Sequence, residues 1–132
     1  MKQIYGLLLL LLPAHDCFTC NMTGYEMRQQ WKGIEAPIEQ DCIRKTGVKQ
    51  ETVDAFYDHE AMPNERAWKC FIECSGLREH FLSLTGDVDL SGVEKYACVT
   101  VPLAQSCEPV HGPDPCERAY LFLTCMIDNL PK

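Results

Sequence analysis

Cysteine usage constrains this chain more than any other feature: nine cysteines fall in 132 residues. In a short secreted chain such a density reads as a disulfide framework. The start of the chain fits secretion. Met1-Lys2 supplies a positive charge, and Leu7 to Leu12 is an unbroken leucine run closed by Pro13. The apolar stretch begins only at Ile4, so it is far shorter than the ~20 residues that span a bilayer. Residues 1–19 therefore read as a signal peptide, cleaved between positions 17 and 20, and residues 20–132 as one domain. A domain of this size buries a limited core, and bridges supplement it. Each one closing a loop of tens of residues is worth about 3–4 kcal/mol in the chain-entropy description.

Charge narrows the partners. The formal net charge is −7, and the leader's Lys2 and Asp16 cancel. Lysines and arginines are scattered singly or as the pair Arg44-Lys45. That balance argues against nucleic acid and against anionic membrane surfaces.

The hydrophobic pattern is helical. Met27, Trp31, Ile34, Ile38 and Cys42 recur at steps of three and four, one face of a helix. Gly33 and Pro37 interrupt that face, which predicts a kinked or two-part helix. Gly47 follows Arg44-Lys45 as a C-cap. Gln50 to Tyr57 reads as a short helix turning Val53, Phe56 and Tyr57 inward. Asn64 is the expected N-cap of a helix from Glu65 to about Gly76. Residues 84–92 form a turn. A further helix is expected from Val93, carrying Tyr96, Ala97, Val99 and Leu103, with Pro102 bending or limiting it. Asp114-Pro115-Cys116-Glu117 is a strong helix start, and that last helix runs to about Asn129, before Pro131. No segment alternates like a strand over more than four residues.

Helical spacing gives the cysteines directions. Cys70 and Cys74 are one turn apart and leave one face of the same helix. Cys116 and Cys125 are nine residues apart on another helix, which points them to opposite sides, so they do not pair with each other. Fifteen pairings remain formally open for six cysteines. A four-cysteine zinc site uses short knuckles in turns. The only such knuckle, Cys17-Phe18-Thr19-Cys20, lies at the edge of the leader, so metal and redox roles are both discounted.

From Cys42 the cysteines run Cys42-x27-Cys70-x3-Cys74-x32-Cys107-x8-Cys116-x8-Cys125. This resembles the six-cysteine signature of insect odorant-binding proteins, including pheromone-binding proteins. The segments "CIRKTGVKQETVDAFYDHEAMPNERAWKCFIEC" and "PDPCERAYLFLTCM" look like that family's first-to-third-cysteine region and its last helix. The resemblance covers about residues 22–130. It implies bridges Cys42–Cys74, Cys70–Cys116 and Cys107–Cys125, and an all-α fold of about six helices around an apolar cavity, with no cofactor and no catalysis. The 32-residue gap is short for the family, so the fourth and fifth helices are expected to be trimmed. Cys98 is extra: it is paired with Cys20, free, or intermolecular.

Other signals point elsewhere and are weaker. Asp87-Val88-Asp89-Leu90-Ser91-Gly92 resembles an EF-hand start, but position twelve is Cys98 where a bidentate Glu is needed. His15-Asp16-Cys17 resembles a phospholipase motif, but it falls beside the leader without a glycine-rich calcium loop. No nucleophile elbow is present. The chain is therefore not expected to be an enzyme. Asn21-Met22-Thr23 is an N-glycosylation sequon. His59, His80 and His111 fall near connectors, where they would be surface residues or pH triggers.

The apolar inventory beyond the bridges is large for a small domain and suits a cavity holding an apolar guest. By helix position in the resembled family, the expected lining is Phe56, Met62, Trp68, Phe71, Leu77, Leu84, Leu123 and Met126. Tyr57, Tyr96 and Tyr120 are candidates to orient a ligand hydroxyl or carbonyl. The tail after Cys125 is long enough to seal an opening, not to enter the cavity as a helix. The resulting expectation is a secreted carrier of small hydrophobic molecules such as odorants or pheromones, in sensillar lymph or another body fluid. It would be a monomer or weak homodimer, meeting a chemosensory receptor or membrane surface at delivery. A saposin-type lipid protein and a phospholipase-like enzyme are the alternatives. A Cys70–Cys125 bridge would favour the saposin reading.

Overall fold

The computed structural model describes residues 20–108 and 112–132. The stretch expected to be a leader, the His15-Asp16-Cys17 triplet and His111 lie outside the described residues. Those described form six helices: α1 Gly24–Thr46, α2 Gln50–His59, α3 Arg66–Arg78, α4 Leu90–Val93, α5 Val101–Cys107 and α6 Pro115–Asp128. Pairing of extended chain among them is limited to one isolated bridge between Leu82 and Val88. Helix α3 packs chiefly against α6 and α1, and α2 packs against α1.

Local chemistry sets the ends of these helices. Thr23 caps α1 through a capping box: its hydroxyl accepts from the Glu26 amide at 3.1 Å, and Glu26 accepts from the Thr23 amide at 3.0 Å. The helix thus starts one turn earlier than its apolar face suggests. Gly47 ends it in the left-handed region at φ 76°, a conformation that costs glycine little. Asp114 caps α6, accepting from the amides of Cys116 and Glu117 at 3.0 and 3.4 Å. Helix α3 starts after Glu65 rather than at the expected Asn64, and no side chain caps it.

Of the kinked or two-part forms expected for the first helix, the two-part form is excluded, and a second expectation about helix continuity is corrected. Helix α1 runs unbroken through Pro37. Pro37 is exposed, and the carbonyl it deprives of a donor belongs to Gly33, four residues earlier and also exposed. Water can serve that carbonyl, and a glycine leaves room for the proline ring. The helix expected from Val93 through Leu103 is instead two short pieces. After α4 the chain reaches Cys98 at φ 71°, which no helix accommodates. It restarts at Thr100, whose hydroxyl accepts from the Leu103 amide at 3.2 Å, with Pro102 in the first turn. Both pieces are short: α4 spans four residues and α5 seven.

Four disulfides lock this arrangement: Cys42–Cys74, Cys70–Cys116, Cys107–Cys125 and Cys20–Cys98, with Cα separations of 5.8, 4.5, 5.7 and 5.3 Å. The first three are interlocked, not nested, and Cys70 joins Cys116 as the resemblance implies. Cys98 pairs with Cys20, which resolves the alternatives left open for it. From one face of α3, Cys70 reaches α6 and Cys74 reaches α1.

The core is continuous and aromatic. Trp31, Phe56, Trp68 and Phe71 form a chain of ring contacts with centroids 5.4–6.4 Å apart. Arg28 is buried between α1 and α2, its Nε donating to the Tyr57 carbonyl at 3.1 Å and its Nη1 paired with Glu60 at 3.2 Å. Glu60 also takes Lys132 Nζ at 3.1 Å. The tail lies against Gly24, where a Cβ would meet the Lys132 backbone at 2.6 Å. It closes over the start of α1, with Leu130 on the core.

Candidate functional site

The buried face of α1 keeps Met27, Trp31 and Cys42 from the apolar periodicity but departs from it between them. Ile34 and Ile38 are only half-buried, and the interior stripe runs Met27, Trp31, Glu35, Glu39, Cys42. Apolar spacing ignores carboxylates, so it missed by one residue at two positions, marking Ile34 and Ile38 where Glu35 and Glu39 are buried. The shift matters because it carries Glu35 into a cavity.

That cavity lies between α1, α2, α3, α6 and the chain from Phe81 to Val99. Its free volume is about 70 Å³ and its wall is almost wholly apolar. Trp31 and Glu35 come from α1, Phe56 and Tyr57 from α2, and Trp68, Phe71, Ile72 and Ser75 from one face of α3. Phe122, Leu123 and Met126 come from α6, and Phe81, Val93, Tyr96 and Val99 from the connecting segment.

The segment around Tyr96 has no regular structure, yet it is held firmly. Gln30 pairs with it at both ends of its amide: Nε2 donates to the Lys95 carbonyl at 3.1 Å, and Oε1 accepts from the Ala97 amide at 2.9 Å. Trp31 Nε1 donates to the Ala97 carbonyl at 3.0 Å. The Cys98 bridge fixes the chain two residues on. Gly92 is needed on the way in, because a Cβ there would meet the His80 carbonyl oxygen at 2.1 Å. With the segment so anchored, Tyr96 Oη reaches Glu35 Oε2 and donates to it at 2.5 Å.

The electrostatics follow from burial. Glu35 is 4 % exposed and has no cationic partner within ion-pair distance among the described residues. Burial disfavours its charged form and pushes its carboxyl up to about 7; the Tyr96 hydrogen bond opposes the shift, and the charge of Glu79 adds to it. The Ser75 hydroxyl lies near enough to favour the charged form slightly, but no hydrogen bond of normal geometry joins the two. Tyr96 is itself raised, first by burial and then by the Glu35 charge, so it remains a donor. Tyr57 is raised for the same reasons. Three buried polar atoms in this wall make no hydrogen bond: Glu35 Oε1, Trp68 Nε1 and Ser75 Oγ.

Of the expected lining residues, Phe56, Trp68, Phe71, Leu123 and Met126 lie in the cavity wall. Met62 and Leu77 do not: they are half-buried and pack against the outside of the core. Leu84 is corrected outright, since it is 96 % exposed. It occupies a tight turn braced by Ser83, Thr85 and Asp87 hydrogen bonds, with Gly86 at φ 88°. Asp87 and Asp89 are occupied in that region, Asp89 capping α4 through Ser91. Among the tyrosines, Tyr57 and Tyr96 line the cavity, whereas Tyr120 donates to the Met62 carbonyl at 3.1 Å. His59 and His80 are exposed and absent from the wall.

Sequence reasoning missed Glu35 and Ser75. A four-residue step from Met27 to Trp31 to Glu35 was the available signal for the first. Ser75 sits one residue after Cys74, on the face that Trp68 and Phe71 already mark.

A family model described as the PBP/GOBP family matches residues 24–129. The general odorant-binding protein 57c of Drosophila melanogaster is 21 % identical over 103 residues, covering 70 % of this chain and 69 % of that protein. The crystal structure of the medfly odorant-binding protein CcapOBP22/CcapOBP69a superposes with a TM-score of 0.57 at 25 % identity. That match covers 71 % of this chain and 85 % of the other.

Proposed function

Because the chain belongs to the PBP/GOBP family, we propose that it is a secreted carrier of small hydrophobic molecules, odorants or pheromones among them, held in the cavity between α1, α2, α3 and α6. The observation that carries this reading is the cavity itself: an apolar space walled by six aromatic side chains of the helices and clamped by interlocked bridges. Such a wall removes an apolar guest from water, which is favourable in proportion to the area covered. The frame is cross-linked, so little order has to be gained on binding.

At about 70 Å³ the cavity is well below the ~300–1,000 Å³ of pockets that enclose drug-sized ligands. A guest with a chain of several carbons therefore enters by rotamer changes in the wall. Met126 and Leu123 on α6 are suited to yield, because unbranched and γ-branched side chains re-pack at low cost. The ligand-contacting set is Phe56, Trp68, Phe71, Leu123 and Met126, joined by Trp31, Ile72, Phe81, Tyr96 and Phe122. Residues 1–19 serve as the secretory leader and 20–132 as the mature carrier. It acts without catalysis, as a monomer or weak homodimer, and meets a chemosensory receptor or membrane surface at delivery.

Displacement of a fluorescent apolar probe by a panel of volatile alcohols, ketones, esters and fatty acids tests the reading. Saturable binding at micromolar concentration is the expected result; its absence across the panel would rule out the carrier. Both tryptophans of the chain line the cavity, so their emission reports occupancy independently of the probe.

A further inference from the structure

The three unpartnered atoms are not scattered. Glu35, Trp68 and Ser75 are 4 %, 1 % and 5 % exposed, and all three residues belong to the cavity wall. Buried polar atoms without a partner are uncommon in native folds, because each leaves a desolvation cost unreturned. Ser75 lies beside Glu35, while Trp68 is seven residues earlier on α3, about 10 Å along the axis. The Glu35–Ser75 pair therefore forms one polar end of an otherwise apolar space. Tyr96 already serves Glu35 Oε2, which leaves Oε1 as the open valence. These atoms are covered in a cavity of about 70 Å³, and a longer guest, which needs more room than that, would come into contact with them as the wall gives way.

The chemistry of the open valences selects a head group. A carboxylate oxygen only accepts, and a serine hydroxyl both donates and accepts. A ligand hydroxyl satisfies both at once, donating to Glu35 Oε1 and accepting from Ser75. A ketone, ester or ether oxygen only accepts, so beside a carboxylate it finds a lone pair and loses one contact. An ammonium would bury two charges in a wall with one neutral partner left for its remaining hydrogens, and the desolvation of both opposes that.

We propose that this chain selects apolar ligands ending in a hydroxyl, and that Glu35 and Ser75 form the subsite receiving that group. The proposal rests on the carrier reading above. Selection depends on the charge of Glu35. The titratable and charged groups facing it are Tyr57 on α2, Glu79 at the end of α3, and Lys95 and Tyr96 after α4, with Glu39 on α1 acting on Tyr57 beside it. Above neutral pH the carboxylate accepts only, and alcohols are favoured. Below its titration the neutral acid also donates, so a carbonyl oxygen becomes equally acceptable.

The test compares octan-1-ol with octan-2-one as competitors of a fluorescent apolar probe on the mature chain. At pH 8 the alcohol is expected to bind about tenfold more tightly, the size of one hydrogen bond to a charged group. At pH 5.5 the two should be nearly equal. Glu35→Gln, which offers a donor and an acceptor at every pH, should bring the ratio near one at both. Tyr96→Phe deletes the hydrogen bond that favours the charged form, so the ratio should rise only at higher pH than in the native chain. Equal affinities at pH 8, or an unchanged preference in Glu35→Gln, would overturn the subsite while leaving the carrier standing. Probe binding absent altogether would overturn both. The pH comparison on the native chain needs no variant, so misfolding of Glu35→Gln would not spare the proposal.

Discussion

Tyr96 donates its hydroxyl hydrogen to Glu35 at 2.5 Å, tying a segment without regular structure to the middle of α1. The residues are 61 positions apart. This bond is the only hydrogen bond made by the Glu35 side chain among the described residues. It fixes one wall of the cavity and leaves the other carboxylate oxygen open.

The first prediction concerns pH and stability. Glu35 is raised in the folded chain from an ordinary 4.5 to about 7. A raised carboxyl favours the fold while it is protonated. The contribution is therefore fully present below about pH 4.5 and is lost as pH rises through 7. The difference amounts to about 3 kcal/mol between the two limits. Glu35→Gln removes that dependence. At pH 8 the variant should melt several degrees above the native chain, and at pH 4.5 the gap should close. A gap independent of pH in paired calorimetric scans would contradict the burial assigned to Glu35.

Phe71 and Leu84 separate wall from surface. Phe71 is buried, stacked on Trp68 with centroids 5.7 Å apart. Phe71→Ala should cost about 3–5 kcal/mol and alter ligand affinity in any variant that still folds. Leu84→Ser should change stability by less than about 0.5 kcal/mol and leave probe affinity unchanged. Chemical denaturation with parallel probe titration reads both; equal effects at the two sites would contradict this assignment of wall and surface.

Thr23 holds the start of α1 through its capping box. In protein made without glycosylation, Thr23→Ala should cost about 1 kcal/mol, while Thr23→Ser keeps the hydroxyl and should lie close to the native value. Equal losses in the two variants, measured by urea midpoints, would show that the hydroxyl is not the cause.

The Cys20–Cys98 bridge spans 78 positions. Peptide mapping of the mature chain should find it together with the three interlocked bridges, and thiol titration should find no free cysteine from Cys20 onward. Replacing both residues by serine should cost at most about 4 kcal/mol, and less in practice because Cys42–Cys74 already shortens the path. Tyr96 lies two residues from Cys98, so the same variant should weaken ligand binding. Unchanged affinity would mean that the Gln30 and Trp31 hydrogen bonds suffice to hold the segment.

Much of the framework was written in local chemistry. Asp114-Pro115 starts α6 and Gly47 ends α1 because those signals act within a few residues. The cysteine spacing marks the family because covalent geometry permits few alternatives. Phe56, Trp68, Phe71, Leu123 and Met126 were legible because large apolar side chains on regular helices have few places to go but inward. Sequence marked a turn at residues 84–92 but did not show that it holds Leu84 outward, nor did it place the break after α4, where Cys98 takes a left-handed conformation. Above all it could not place Glu35. A carboxylate in a helix reads as solvated until a partner from elsewhere is brought to it. Here the segment carrying Tyr96 is folded back by Gln30, Trp31 and the Cys20 bridge, contacts separated by more than 60 residues. Short-range rules thus determined the helices and the staples. Only the tertiary structure decided which side chains share the cavity, because burial is a property of the assembled layers and not of any one helix.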